Sequence, residues 1–204
     1  MKTKFEMSDL GVMSYLLGLQ IHQGVDSIFI HQQKYISELL NKFGMQDCKP
    51  TSTPMAIGEK LVRNDGAEKV SEEKYRCIVG SLIYLTNNRP DIEHVVSYVS
   101  RFVSEPNSIH MMAVKHILCY LHGTCDYGLL YKRNEKVNEE LSGYSDSDWA
   151  ESGDDRKSTS GFVIQLGGNT ISWNSRKQKC VALSSTKAEY LAIGEAAKEL
   201  VWLS

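Results

Sequence analysis

GFVIQLGGNTISW, residues 161–173, decides how the C-terminal part of this chain folds. Phe162, Val163, Ile164 and Leu166 make one apolar run, and Ile171 and Trp173 begin a second. Between them stand Gly167, Gly168 and Asn169, residue types that accept the positive φ of a tight hairpin turn. LSGYS at 141–145 precedes the hairpin as a further β-like run leading into Asp146, and residues 179–183 resemble a third strand. A helical pattern covers 186–203. The tail therefore reads strand, strand, strand, helix.

Upstream, residues 15–22 and 28–31 read as two strands around a turn with Gly24 and Asp26. Ile36, Leu39, Leu40 and Phe43 recur at helical spacing, and Gly44 stops that helix. Residues 48–70 lack periodicity and contain Pro50, Pro54, Gly58 and Gly66, the features of a linker or long surface segment. Three helices follow. The first, capped by Ser71, presents Tyr75, Ile78, Val79, Leu82, Ile83 and Thr86. The second starts at Asp91 after Pro90 and buries Ile92, Val95, Val96, Val99, Phe102 and Val103. The third covers about 108–121 with Ile109, Met112, Ala113, His116, Ile117 and Tyr120. His94 and His110 read as exposed or capping residues. A short strand at 127–131 and a charged connection at 132–140 lead to the tail. The expected organisation is α+β: a hairpin and helix over 1–47, a linker over 48–70, a helical region over 71–135, and a βββα unit over 136–204.

The composition fits a globular chain: 204 residues, 42% apolar, 24% charged, net charge −2. It excludes collagen-like, coiled-coil and strongly disordered chains. The near-neutral charge leaves nucleic-acid binding to local basic patches. No apolar run approaches the roughly 20 residues of a membrane span. No apolar leader is present, so an intracellular location is expected, the cytoplasm before the nucleus. Five widely spaced cysteines form no CxxC pair. His116, Cys119, His122 and Cys125 come nearest to a metal cluster, and helix packing accounts for them better than zinc.

Two acidic features could carry chemistry. Asp146 and Asp148 lie at the end of the first tail strand, and Glu189 lies in the last helix. Helical spacing puts Glu189 on the stripe of Ile193, Ala196, Leu200 and Leu203, where a buried carboxylate needs a partner. A divalent cation shared with Asp146 would supply one, and carboxylates suit magnesium. The structural alternative is a capping box in which Glu189 reaches back to Thr186.

The segments SDSDWA (145–150), DDRKSTSGFV (154–163), ISWNSRKQ (171–178) and VALSSTKAEY (181–190) together resemble the ribonuclease H domain of Ty1/copia-type retrotransposon Pol polyproteins. FEMSDLGVMSYLLGLQI (5–21), KYISELLNKFGM (34–45), CKPTSTPM (48–55), YRCIVGSLIYLTNNRPDI (75–92) and AVKHILCYLHGTCDYGLLY (113–131) resemble the same polyprotein in the same order, from just after the polymerase active site through thumb and connection. The resemblance implies that residues 136–204 are part of a ribonuclease H-like domain. It further implies that Asp146 and Glu189 are two of its metal-binding acids. In that chemistry two magnesium ions about 4 Å apart clamp the scissile phosphate of RNA paired to DNA. Arg156, Lys157, Arg176 and Lys177 would then contact phosphates from loops beside the site, with Ser158 and Lys179 near them, and Asp148 would play a supporting part. The implied partners are an RNA–DNA hybrid or template–primer and the remaining parts of the polyprotein, with no membrane.

Departures from the family pattern shape the expectation. No Tyr-X-Asp-Asp sequence occurs, and Asp154-Asp155 is preceded by Gly153. The family's third ribonuclease H acid belongs to a strand after the helix, beyond Ser204, so a weak, incomplete magnesium site is expected. Lys187 stands where the family usually has an acid. The functional expectation is thus a polyprotein fragment whose ancestral activities are RNA-directed DNA synthesis and hybrid cleavage, inactive alone. The alternative is a non-catalytic module binding nucleic acid or protein. An effector-type protein is a third class, for which no Arg-X-Leu-Arg motif speaks.

Overall fold

The computed structural model describes residues 11–56, 58–63, 66–133 and 140–204. Strands β1 (Tyr15–Leu16), β2 (Leu19–Gln23) and β3 (Ser27–His31) run antiparallel, with Leu16 opposite Leu19 and Ile21 opposite Ile30. The single strand expected over 15–22 is therefore broken. Leu17 and Gly18 both take positive φ, 48° and 82°, and reverse the chain in two residues. Helix α1 (Gln33–Lys42) follows, and Gly44 at φ 65° ends it as expected.

Helix α2 (Glu72–Thr86) starts where the Ser71 side chain accepts a hydrogen bond from the Lys74 amide. Its inner face carries Tyr75, Ile78, Val79, Leu82 and Leu85, while Ile83 faces outward. A 3-10 turn at Pro90–Ile92 leads into α3 (Glu93–Ser100). Helix α4 (Ser108–Gly123) opens with a reciprocal capping box between Asn107 and His110. His110 Nδ1 accepts from the Asn107 amide at 3.1 Å, so Nε2 carries the proton and donates to the Val62 carbonyl at 3.0 Å. The expected inward residue Met112 is exposed; Met111, Val114, Leu118 and Leu121 point inward instead.

These four helices share one apolar core, and Leu61 belongs to it. Tyr98 fixes Leu61 at both ends: its hydroxyl accepts from the Leu61 amide at 2.9 Å and donates to the Leu61 carbonyl at 3.2 Å. The aperiodic stretch before α2 is thus strapped onto the helices at this point. Strand β4 (Gly128–Lys132) returns to pair with β3, so the N-terminal sheet has four strands in the order β1-β2-β3-β4.

Strands β5 (Leu141–Ser147), β6 (Thr159–Leu166) and β7 (Asn169–Lys177) form a separate antiparallel sheet. Gly167 and Gly168, both at positive φ, make the expected turn. Helix α5 (Ser185–Leu203) packs on β5 and β6. The βββα order is present, but its strands are β5, β6 and β7. Residues 179–183 form no strand, and Lys179, Cys180, Val181 and Leu183 are exposed. Residues 134–139, where most of the expected charged connection falls, lie outside the described residues.

The tail sheet is tied to the rest by several contacts, among them His94 to Ser175 and Arg101 Nη2 to Thr159 Oγ1 at 3.1 Å. The Trp173 indole donates to the Thr86 carbonyl at 3.0 Å. Asn169 accepts from the Lys132 amide at 2.8 Å and donates to the Lys132 carbonyl at 3.0 Å. Among the described residues no helix is long and apolar enough to cross a membrane.

Candidate functional site

Side chains alternate across β5, and α5 fixes which face is which. A Cβ on Gly143 would lie 3.0 Å from Leu200 of α5, so the odd-numbered residues 143, 145 and 147 face that helix. Tyr144 and Asp146 face the other way, toward α3. Asp146 stands opposite Gly161, which stands opposite Ser175, and the Ser175 hydroxyl is 3.2 Å from His94 Nδ1. Between this face and the start of α3 opens a cleft of about 530 Å³, lined by Glu93, His94, Tyr144, Asp146 and Trp173 among others. The exposed Asp146 carboxylate accepts one hydrogen bond, from the Ser147 amide at 2.9 Å.

Glu189 is half-buried in the first turns of α5. The fully buried residues of this helix are Ala188, Ala192 and Ala196; of the expected stripe Ala196 is buried, Leu200 and Leu203 are half-buried, and Ile193 is exposed. The N-cap is Ser184, whose hydroxyl accepts from the Lys187 amide, so the helix starts without a Thr186 capping box. Gln178 shows where this end of α5 lies. Its amide donates to Ser160 Oγ at 2.8 Å and to the Ala188 carbonyl at 3.0 Å. Ser160 pairs with Ser147, the residue after Asp146. Asp146 and Glu189 therefore belong to the same end of the tail sheet but to its opposite faces, since Asp146 points toward α3 while α5 covers the other side.

Asp148 has a structural task. Its Oδ1 accepts from the Thr159 amide at 2.7 Å and its own amide donates to the Thr159 carbonyl at 3.1 Å, closing the β5–β6 loop. Its buried Oδ2 has no hydrogen-bond partner among the described residues. Oxygen donors such as Asp146 and Glu189 suit magnesium. Among the described residues, no group of three or more His, Cys, Asp or Glu is arranged to hold a metal. The donor chemistry fits, but the donor number is short of a closed site and the two acids stand on opposite faces of the sheet.

The four basic candidates divide into two pairs. Lys177 Nζ lies 2.7 Å from Asp155 Oδ1 and Lys157 Nζ 3.8 Å from Asp155 Oδ2, so both are anchored. Burial pushes the Asp155 carboxyl up, but the bonds from Lys177 and Ser152 outweigh it and bring it down to about 2. Arg156, at φ 57°, and Arg176 are exposed and have no ion pair among the described residues. Sequence reasoning missed the role of Arg89. It is 1% exposed, and its guanidinium donates to Asp91, to the Thr124 carbonyl and to Thr124 Oγ1. The signal was available in Arg89-Pro90-Asp91, opposite charges one residue apart across a proline.

The model of the family described as "Reverse transcriptase (RNA-dependent DNA polymerase)" matches residues 1–57. The chain is 39% identical over 200 residues to the retrovirus-related Pol polyprotein from transposon RE1 of Arabidopsis thaliana, covering 98% of this chain and 14% of that protein. It is 42% identical over 208 residues to the Pol polyprotein from transposon TNT 1-94 of Nicotiana tabacum, covering 98% and 15%. An uncharacterised mitochondrial protein of Arabidopsis thaliana is 40% identical over 205 residues, covering 100% of this chain and 84% of that one. The chain thus spans about a seventh of the length of the two Pol polyproteins. No solved structure matches it. The match along nearly the whole chain, from the N-terminal hairpin to α5, means that the protein belongs to the Pol polyprotein family of copia-type retrotransposons.

Proposed function

We propose that this chain is the part of a copia-type Pol polyprotein that joins the polymerase to its ribonuclease H unit, and that β5 to α5 open that unit. The observation that carries the reading is the order strand, strand, strand, helix, with an acid on the first strand and another in the first turns of the helix, at one end of the sheet. Asp146 and Glu189 would hold magnesium through their carboxylate oxygens only if the start of α5 moved around the end of the sheet, because Asp146 lies on the face that α5 does not cover. When bound, magnesium activates water and stabilises a leaving oxygen in phosphodiester cleavage. The short donor set supports weak binding and no cleavage by this chain alone.

Arg156 and Arg176 contact the phosphates of an RNA–DNA hybrid or template–primer, since both are exposed and neither has an ion pair among the described residues, unlike Lys157 and Lys177. Lys157 and Lys177 shape the loop through Asp155. With a net charge of −2 the affinity is modest and falls with salt. The remaining polyprotein parts are the other partners, and the site of action is the cytoplasm or nucleus.

Incubation with a labelled RNA–DNA hybrid and magnesium tests this reading. The expected result is salt-sensitive binding, weakened by Arg156→Gln plus Arg176→Gln, with the RNA left intact. Cleavage abolished by Glu189→Gln would support the acid pair and overturn the inactivity. Binding unchanged by the double substitution removes the phosphate interface.

A further inference from the structure

Helix α5 lies over β5 and β6 and leaves the adjoining face of β7 uncovered. The space between the helix and β7 is a cavity of about 290 Å³, distinct from the cleft at Asp146. Phe162 of β6 and Leu191 of α5 give it apolar walls. The Ser172 hydroxyl, 2.9 Å from Glu199, bridges β7 to α5 farther along the helix. Arg176 and Lys179 stand at the cavity as exposed cations without an ion pair among the described residues. Glu195, the acid that lines it, is neutralised by Lys198 at 2.9 Å. Its carboxyl is lowered by that bond first, and by the charges of Lys198, Lys179 and Arg176 after it.

Gln178 makes this cavity more than a charged groove. It is 9% exposed and its Oε1 has no hydrogen-bond partner among the described residues. The orientation of the amide is fixed, because the Ala188 carbonyl can only accept and must face Nε2. A buried acceptor is thus left without a donor in the lining of the cavity, beside an aromatic wall and two cations that have no ion pair among the described residues. A buried polar atom without a partner is costly, so a ligand that supplies an N–H gains by satisfying it.

We propose that the α5–β7 cavity binds a nucleoside monophosphate. The flat base lies between Phe162 and Leu191, its N–H donates to Gln178 Oε1, and the phosphate meets Arg176 and Lys179. The size of the cavity is at the lower end of small-molecule sites, which suits one nucleotide rather than a longer strand. This goes beyond hybrid binding, which needs only the exposed basic loops.

The test is a titration of the ¹⁵N-labelled full chain with uridine and guanosine 5′-monophosphates, with inorganic phosphate and with a blunt RNA–DNA hybrid, followed by amide shifts. Shifts centred on Ser160, Phe162, Gln178 and Leu191 with the nucleotides, and affinity about tenfold weaker in Arg176→Gln, are the expected result. Equal shifts and affinity with inorganic phosphate overturn the base slot, and so does the absence of shifts at millimolar nucleotide. Gln178→Met, if its circular dichroism is native, must also weaken the nucleotide; unchanged affinity overturns the proposal. If that variant does not fold, the exposed Arg176→Gln decides. Hybrid binding without nucleotide shifts overturns this site while leaving the proposed function standing.

Discussion

Arg89 and Asp91 face each other across Pro90 in a two-point ion pair: Nε lies 2.8 Å from Oδ1 and Nη2 2.7 Å from Oδ2. The Tyr120 hydroxyl donates to the same carboxylate at 2.8 Å, and Thr124 takes the rest of the guanidinium. This cluster joins the start of α3 to the end of α4 beside the return of β4. Removing the cation would leave the Thr124 carbonyl without the Arg89 donor and Asp91 with the Tyr120 hydroxyl alone of its two side-chain partners. Arg89→Leu is expected to cost about 3 kcal/mol, read as a lower midpoint in urea with unchanged slope.

Asp91 also makes the fold sensitive to acid. Burial pushes its carboxyl up, but the bonds and charge of Arg89 and the Tyr120 hydroxyl win, and its pKa ends below the ordinary 3.8. A carboxyl lowered on folding stabilises the native state fully above its unfolded value. That stability is lost as pH falls below 3.8 through the lower folded value. Urea midpoints measured from pH 6 down to about pH 2 should therefore fall less steeply in Asp91→Asn than in the parent.

His22 and His31 hold Nε2 atoms 2.9 Å apart with rings stacked at 5.0 Å, a spacing that admits one proton between them. Burial lowers the His31 pKa, the charge of His22 lowers it further, and Asp126 opposes both. Here the unfolded chain binds the proton more readily, so stability drops as pH falls below 6.5 toward the folded value. Histidine-ring NMR should show His31 titrating below 6.5 in the parent and at higher pH in His22→Gln. Identical titrations in the two chains would rule out the coupling.

The Asp155 clamp offers a direct reading. Carboxyl-carbon NMR should place its titration at about 2. Lys177→Met removes the 2.7 Å bond and should return the carboxyl toward its ordinary value of 3.8.

Gly128 sits opposite His31 in the β3–β4 ladder, and a Cβ there would collide with the Ile30 carbonyl oxygen. Neither backbone can yield without breaking the pairing. Gly128→Ala should destabilise by about 2 kcal/mol and deprotect the β3 and β4 amides in hydrogen exchange.

The helices and the β6–β7 hairpin were legible because their signals are local. The stripe from Ile36 to Leu40, the Ser71 cap and the Gly167-Gly168 turn each state their own geometry within a few residues. The pairing of β4 with β3 joins positions about a hundred residues apart, and periodicity does not encode which strand a strand chooses. Ser184 displaced Thr186 as the cap because both are good acceptors and the end of β7 determines which comes first. Residues 179–183 have strand-like composition, yet β7 ends at Lys177 and Gln178 turns its side chain under α5. At the candidate site the residue types were readable. Asp155 holding Lys157 and Lys177, and Gln178 left with an open acceptor, were not, since both depend on loops meeting in space.

Asn169 treats Lys132 as a peptide treats its neighbour in a ladder, accepting from its amide and donating to its carbonyl. One side chain thereby grafts the edge of the N-terminal sheet onto the tip of the tail hairpin. A pull on either sheet would load this seam in shear, alongside the bonds that tie Trp173 to Thr86 and Ser175 to His94 on the helices.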